Sequence, residues 1–199
     1  MANRASKPAT YDDILKLPDH VVGEILEGEL FVSPRPAPPH AHATSVIGAD
    51  VLGPFHRTPG GPGGPGGWWI LDEPELHLRS DVLVPDLAGW RRERMPTLPT
   101  TAAFELAPDW ACEVTSPSTV RIDRSRKMRI YRREKVAHLW LVDPLARLLE
   151  VFRLEDSRWF QVEAYGEDTP EKVRVEPFDA IELELSRWWV PEPATPESR

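Results

Sequence analysis

Cysteine is nearly missing from this chain. One residue, Cys112, stands in 199, which excludes an internal disulfide framework and any cysteine-built zinc cluster. Long apolar runs are missing too. None approaches the roughly 20 residues that span a bilayer, and the N-terminal stretch MANRASKPATYDDILKL lacks the apolar segment of about 7–15 residues that marks a signal peptide. A cytoplasmic protein without membrane contact is the expectation. Positive charge is in deficit, with 24 Lys and Arg against 32 Asp and Glu for a formal net charge of −8. That excludes coating of nucleic acid by bulk charge, though not a local basic surface. The chain also has no GxSxG elbow, no P-loop and no dinucleotide-binding glycine pattern, so the acyl-transfer and nucleotide-fold enzymes that depend on them are set aside.

What is present reads as one folded unit. Met1–Ala9 and the stretch from Pro191 onward look like disordered tails, and residues 10–190 are expected to form a single domain. Thr10 precedes a short helix stopped by Pro18. Glu24-Ile25-Leu26 and Glu29–Val32 flank Glu27-Gly28, a hairpin turn. Ser33–Pro39 is a proline-rich extended connector. His40 to about Phe55 carries small and apolar residues at helical spacing. Residues 58–67 are almost entirely Gly and Pro and form a flexible loop within the domain. Strands are expected at 68–72, 75–78, 82–90, 110–114, 138–142 and 148–153. A helix from Val120 to about Glu134 lies among them, and further antiparallel segments follow at 158–164, 172–175 and 181–185. The order gives an α/β or α+β domain with a mixed sheet.

Two acids interrupt apolar strands, Asp86 in Val84-Pro85-Asp86-Leu87 and Glu113 in Ala111-Cys112-Glu113-Val114. A carboxylate among buried neighbours is unfavourable unless paired or metal-bound. Each alone reads equally as a strand cap or an arginine partner. Together they can hold a hard cation through oxygen, which suits Mg²⁺. Glu113 and Thr115 share a strand face, so the place where a D…E-x-K motif would put lysine is held by Thr115. The chain then turns at Ser116-Pro117 into a basic segment containing Arg121, Arg124, Arg126, Lys127, Arg129, Arg132 and Arg133. Asp123, Lys127, Ile130 and Glu134 share one face of that helix, with Tyr131 on a neighbouring one. Lys127 can aim back at the sheet edge, or simply pair with Asp123 four residues earlier. His40 opens a helix, a place that can bind phosphate; His42, two residues on, is wrongly spaced to chelate one metal with it from one helical face, and His138 reads as a satisfied structural residue. Of the eight tryptophans, those in strand contexts read as core, and the pairs Trp68-Trp69 and Trp188-Trp189 as exposed or interface pairs.

Pro85-Asp86-Leu87, then Cys112-Glu113-Val114-x-Ser116-Pro117-Ser118-Thr119, Asp123-x-x-x-Lys127, Tyr131 and Leu139-Trp140-Leu141-Val142-Asp143-Pro144 together resemble the Uma-two family of restriction-endonuclease-like proteins, in the PD-(D/E)XK nuclease superfamily. Glu24–Leu30 and His40 match its usual start, and the resemblance runs from about Tyr11 to Arg153. It implies a restriction-endonuclease-like mixed central sheet flanked by helices, with an N-terminal hairpin. It implies a Mg²⁺ or Mn²⁺ site of Asp86, Glu113 and the Val114 carbonyl, with a further acid from Glu24, or less favourably Glu27. It also implies that Lys127 takes the place of the missing strand lysine. The expected activity is endonucleolytic hydrolysis of DNA by a homodimer, with Arg121, Arg124, Arg126 and His40 holding backbone phosphates. Two alternatives stand beside it, a nucleic-acid-binding module with a decayed site and a structural protein whose acids only satisfy arginines.

Overall fold

The computed structural model describes residues 7–191, and the outer parts of both expected tails, 1–6 and 192–199, lie outside them. Elements follow in the order α1 (Tyr11–Ile14), β1 (Val21–Leu26), β2 (Glu29–Pro34), α2 (Pro38–Phe55), β3 (Trp68–Asp72), β4 (Leu76–Leu78), β5 (Asp81–Leu83), β6 (Leu87–Arg91) and β7 (Trp110–Val114). After β7 come α3 (Val120–Ile122), a π-helical turn (Asp123–Lys127), α4 (Met128–Arg133), β8 (His138–Asp143), β9 (Leu148–Glu155), β10 (Arg158–Tyr165) and a 3₁₀ turn (Leu185–Trp188). Among the described residues no helix is long and apolar enough to cross a membrane.

The strands form two sheets, a smaller one ordered β2-β1-β5-β4 and a larger one ordered β10-β9-β8-β7-β6-β3. In the larger sheet only β7 and β8 run parallel, so the sheet is mixed, as the sequence indicates. The expected hairpin is β1–β2, registered from Val21↔Pro34 to Leu26↔Glu29. Its two-residue turn has φ of 56° at Glu27 and 83° at Gly28. Positive φ at both central positions is the geometry that matches strand twist, and glycine takes it without strain.

The residues expected as one strand from Val82 to Trp90 are two. Pro85 has no N–H to give a ladder, and the Val84 N–H is taken by Glu24 Oε1 at 2.8 Å. The chain therefore leaves the small sheet at Leu83 and joins the large one at Leu87, with Val84-Pro85-Asp86 as the joint. Near the C-terminus, 172–175 and 181–185 contribute only the bridge Val173↔Leu183 instead of two strands.

Strand alternation divides the buried side chains between two faces of the large sheet. On one face Trp110, Cys112, Val114, Trp140 and Val142 pack on Ala43, Ile47, Val51 and Phe55 of α2 and on Phe178 and Trp188. On the other, Ala111, Leu139 and Leu141 meet Leu26, Leu76 and Leu83 of the small sheet and Ile130 and Tyr131 of α4. Trp90, Trp110, Trp140 and Trp188 are fully buried, so these indoles pack the core and are not platforms for bases. The Gly/Pro loop is tied back on α2, with Gly66 N–H on Pro54 O at 3.0 Å and Arg57 Nη1 on Pro62 O at 2.7 Å.

Candidate metal and phosphate site

Glu113 belongs to the second face. Its neighbours Cys112 and Val114 point toward α2, so alternation sends the carboxylate between the small sheet and the helix that follows β7. There it is 2% exposed. The antiparallel register Leu87↔Cys112, continued past the joint, brings Asp86 alongside Glu113 and Val114. Val114 N–H donates to Asp86 Oδ2 at 2.7 Å, and Asp86 Oδ1 shares a hydrogen bond of 2.5 Å with His40 Nε2 from the first turn of α2. Glu24 reaches the same place from β1.

Lys127 enters from the helix. The π turn closes with Met128 N–H on Asp123 O, a wider turn than the α-helix, of a kind frequent at functional sites. The Lys127 ammonium lies 2.9 Å from Glu24 Oε1, 3.0 Å from Glu113 Oε2 and 3.7 Å from Asp123 Oδ1, with Val84 O at 3.5 Å. Both readings of Lys127 hold geometrically, since it reaches the sheet and also faces Asp123, and it is 4% exposed. The Tyr131 hydroxyl donates to Glu113 Oε1. Tyr131 thus works beside Lys127, which precedes it by four residues, the spacing that brings two side chains together on one helix.

Three carboxylates, Glu24, Glu113 and Asp123, surround one ammonium, and Asp86 stands beside them on His40 and the Val114 N–H. Burial pushes the Glu113 pKa well above the usual carboxylate range; Lys127 opposes this, while Asp123, Asp86 and Glu24 add to it. Burial raises Asp123 to about 6 in the same way, against Lys127 and a Thr119 hydrogen bond. Burial works against the charge on Lys127, but Glu113, Glu24 and Asp123 outweigh it and hold the ammonium pKa well above the ordinary lysine value. Burial and the Glu113 charge lift the Tyr131 phenol well above its usual range.

Among the described residues, no three His, Cys, Asp or Glu side chains are arranged to hold a metal ion. The carboxylates are turned on Lys127, Tyr131, His40 and backbone N–H groups. The donor set itself is all hard oxygen with an excess of negative charge, which is the chemistry a divalent cation such as Mg²⁺ takes. The residues fit such an ion in kind and charge. The carboxylates line a cleft of about 310 Å³, bounded on one side by 33–37 and on the other by 116–119. Thr115 is buried, with its hydroxyl on Val142 O at 3.3 Å, and offers no cation.

The structure divides the basic residues expected to hold phosphates. Arg124 is bound to Glu150 through both terminal nitrogens. Arg126 is paired with Glu29 at 2.9 Å and Glu27 at 3.7 Å. Arg121 is exposed but does not line the cleft. His40 is in the cleft, bonded to Asp86. His42 is not, its ring bonding Arg187 O at 3.1 Å. Glu27 faces Arg129 and Arg126 instead of the cleft. His138 is not satisfied as expected, since its buried Nδ1 has no hydrogen-bond partner. The sequence names Asp123 only as a partner for Lys127 and gives no role to Tyr131 or Arg35. Of those two, Tyr131 carried a signal, its spacing of four from Lys127.

Comparison with known proteins gives three results. The sequence model of the Uma2 family, described as "Putative restriction endonuclease", matches residues 10–186, well past the last motif legible in the sequence. Among solved structures, the chain is similar to "a putative nuclease belonging to DUF820" from Anabaena variabilis, with a TM-score of 0.68 over 92% of this chain and 98% of that one, at 23% identity. No curated protein matches.

Proposed function

Since the chain belongs to the Uma2 family of restriction-endonuclease-like proteins, we propose that it is a divalent-metal-dependent endonuclease hydrolysing phosphodiester bonds of DNA in the cleft above Asp86 and Glu113. The observation that carries this reading is the burial of Glu113, Lys127 and Glu24 as one ion cluster on the floor of an open cleft, beside Asp86. A fold has little use for so many charges out of water, because apolar residues of similar volume stabilise as well or better. Perturbed, desolvated carboxylates in a cleft are the mark of a chemical site.

Asp86, Glu113, the Val114 carbonyl and Glu24 would hold Mg²⁺ or Mn²⁺, which supplies Lewis acidity toward the scissile phosphate. Tyr131 fixes the Glu113 carboxylate by donating to one oxygen, leaving the other to Lys127. His40 fixes Asp86 from the opposite wall, so its part is to position a carboxylate before it is to bind phosphate. Lys127 brings a permanent positive charge to the floor of the cleft. By exchanging its longest contact, the one to Asp123, it can donate to a phosphoryl oxygen and stabilise the charge that develops there. Cutting both strands of a duplex requires two such sites, which a homodimer in the cytoplasm would supply.

Cleavage of supercoiled plasmid with Mg²⁺ or Mn²⁺ tests this. Asp86→Ala and Glu113→Ala should each lose more than about 100-fold in rate while keeping the wild-type circular dichroism. Full activity in Glu113→Ala sinks the assignment. One observation favours a second reading, a binding module whose site has decayed: Thr115 stands at the strand-lysine position with its hydroxyl engaged by Val142. That reading expects salt-sensitive DNA binding without calorimetric binding of Mg²⁺ or Mn²⁺.

A further inference from the structure

Arg35 is the one arginine lining the carboxylate cleft among the described residues. Pro34 and Pro36 flank it, which locks φ on both sides and keeps Arg35 out of the helical region. A side chain on so stiff a connector loses little freedom when it takes a ligand. Its present ties are weak. Nη2 donates to Asp19 O at 3.2 Å, and Nη1 lies 3.6 Å from Glu73 Oε2 in a pair whose members are 56% and 38% exposed. Such a pair is readily exchanged for a stronger anion.

The arginines of the helix after β7 are placed differently. Arg129 grips Glu27 with two bonds of 3.1 and 2.8 Å. Arg133 lies 2.5 Å from both Asp81 and Glu134. Arg124 and Arg126 are held by Glu150, Glu29 and Glu27 as described above. These forks are filled by carboxylates of the chain itself, and they join the helix to the hairpin, to β5 and to β9. The basic run in the sequence is therefore largely neutralised within the fold.

We propose that Arg35 is the phosphate-gripping residue of the cleft, binding a backbone phosphate of the nucleic acid strand laid over Asp86 and Glu113, and that Arg124 and Arg126 do not contact the substrate. The guanidinium fork matches two phosphoryl oxygens, and Glu73 at the cleft edge holds the fork until a phosphate displaces it. This inference rests on the nuclease reading for its substrate class.

The test is fluorescence anisotropy with a short fluorescein-labelled DNA duplex, with Ca²⁺ in place of Mg²⁺, over a series of KCl concentrations. The proteins are wild type, Arg35→Gln, Arg35→Lys and the double variant Arg124→Gln/Arg126→Gln. Arg35→Gln should bind about 10-fold more weakly, with the slope of log K on log salt reduced by about one. Arg35→Lys should keep the slope and lose only part of the affinity, since a point charge cannot fork. The double variant should keep both. Wild-type binding by Arg35→Gln overturns the proposal, as does a loss that falls on the double variant instead. Equal losses in Arg35→Gln and Arg35→Lys with an unchanged salt slope also overturn it, because they would mark a merely structural residue. Those outcomes leave the nuclease reading standing. Failure of the wild-type protein to bind the duplex at all overturns both.

Discussion

Replacing Lys127 by Met removes the only ammonium from a cluster of buried acids while keeping most of the volume of its buried stem. Glu24 Oε1 and Glu113 Oε2 then lose a cation at 2.9 and 3.0 Å. Stranding one member of a buried ion pair costs about 3–5 kcal/mol. The pKa argument sets an upper bound of similar size, because burial already raises the Glu113 pKa with Lys127 in place. The cheapest escape for Glu113 is to keep its proton, and its ordinary pKa is 4.5. Holding that proton at pH 7.5, about three units above the ordinary value, costs about 4 kcal/mol at 1.36 kcal/mol per unit. At pH 5.5 the same escape costs about 1.4 kcal/mol. The sign follows from the direction of the shift. A carboxyl with a folded-state pKa above its unfolded value contributes its stability at low pH and loses it as pH rises through the folded pKa. At about 2–4 °C per kcal/mol for a fold of this size, the variant should melt about 8–16 °C below wild type at pH 7.5, and about 3–6 °C below at pH 5.5. Differential scanning calorimetry at the two pH values reads this directly. Equal depressions at both pH values would refute the electrostatic reasoning and point to lost packing. No depression at pH 7.5 would mean that Lys127 is not enclosed by carboxylates.

Tyr131→Phe deprives a buried Glu113 oxygen of its donor. It should weaken Mn²⁺ binding by about 10–100-fold in titration calorimetry; unchanged affinity would show that the phenol only packs. Asp123 has a pKa raised to about 6, chiefly by burial, so below that pH it carries a proton that disfavours a nearby cation. Mg²⁺ affinity should therefore rise between pH 5 and 7 with release of protons to the buffer, and binding enthalpies that do not depend on buffer ionisation would contradict this. Asp81, 1% exposed, accepts from Glu27 N–H and from Arg133 at 2.5 Å each, joining the hairpin turn to α4. Asp81→Ala should destabilise by about 1–3 kcal/mol, chiefly by leaving the Glu27 N–H without its acceptor, and speed hydrogen exchange in β1 and β2 ahead of the large sheet. Uniform acceleration across both sheets would argue against so local a role.

The parts of this fold that were legible in sequence are those set by short-range rules. Glu27-Gly28 announces its turn because both residues must take positive φ. Asp86 and Glu113 stand out because an acid inside an apolar strand demands a partner. The break at Val84-Pro85-Asp86 was written in the sequence as a proline, but which sheet each half joins depends on Glu24, sixty residues away in the chain, capturing the Val84 N–H. Tyr131 lies beside Lys127 by the ordinary helical spacing of four; what short-range rules could not show is that both side chains meet Glu113, on the strand before the helix.

The arginines show the limit most sharply. Seven basic residues between Arg121 and Arg133 count as a positive patch when read along the chain, and a net charge of −8 looks like its opponent. In the folded protein the two are one feature. Much of the surplus acid faces that helix, as Glu27, Glu29, Asp81, Glu134 and Glu150, and spends the basic charge on joining elements together. A largely neutralised helix draws a polyanion only weakly to an acidic cleft, since repulsion from four carboxylates outweighs what one ammonium and a loosely tied arginine return. DNA binding should then require a divalent cation in the cleft and fade when it is chelated, whereas binding carried by a basic helix would survive chelation and depend on monovalent salt alone.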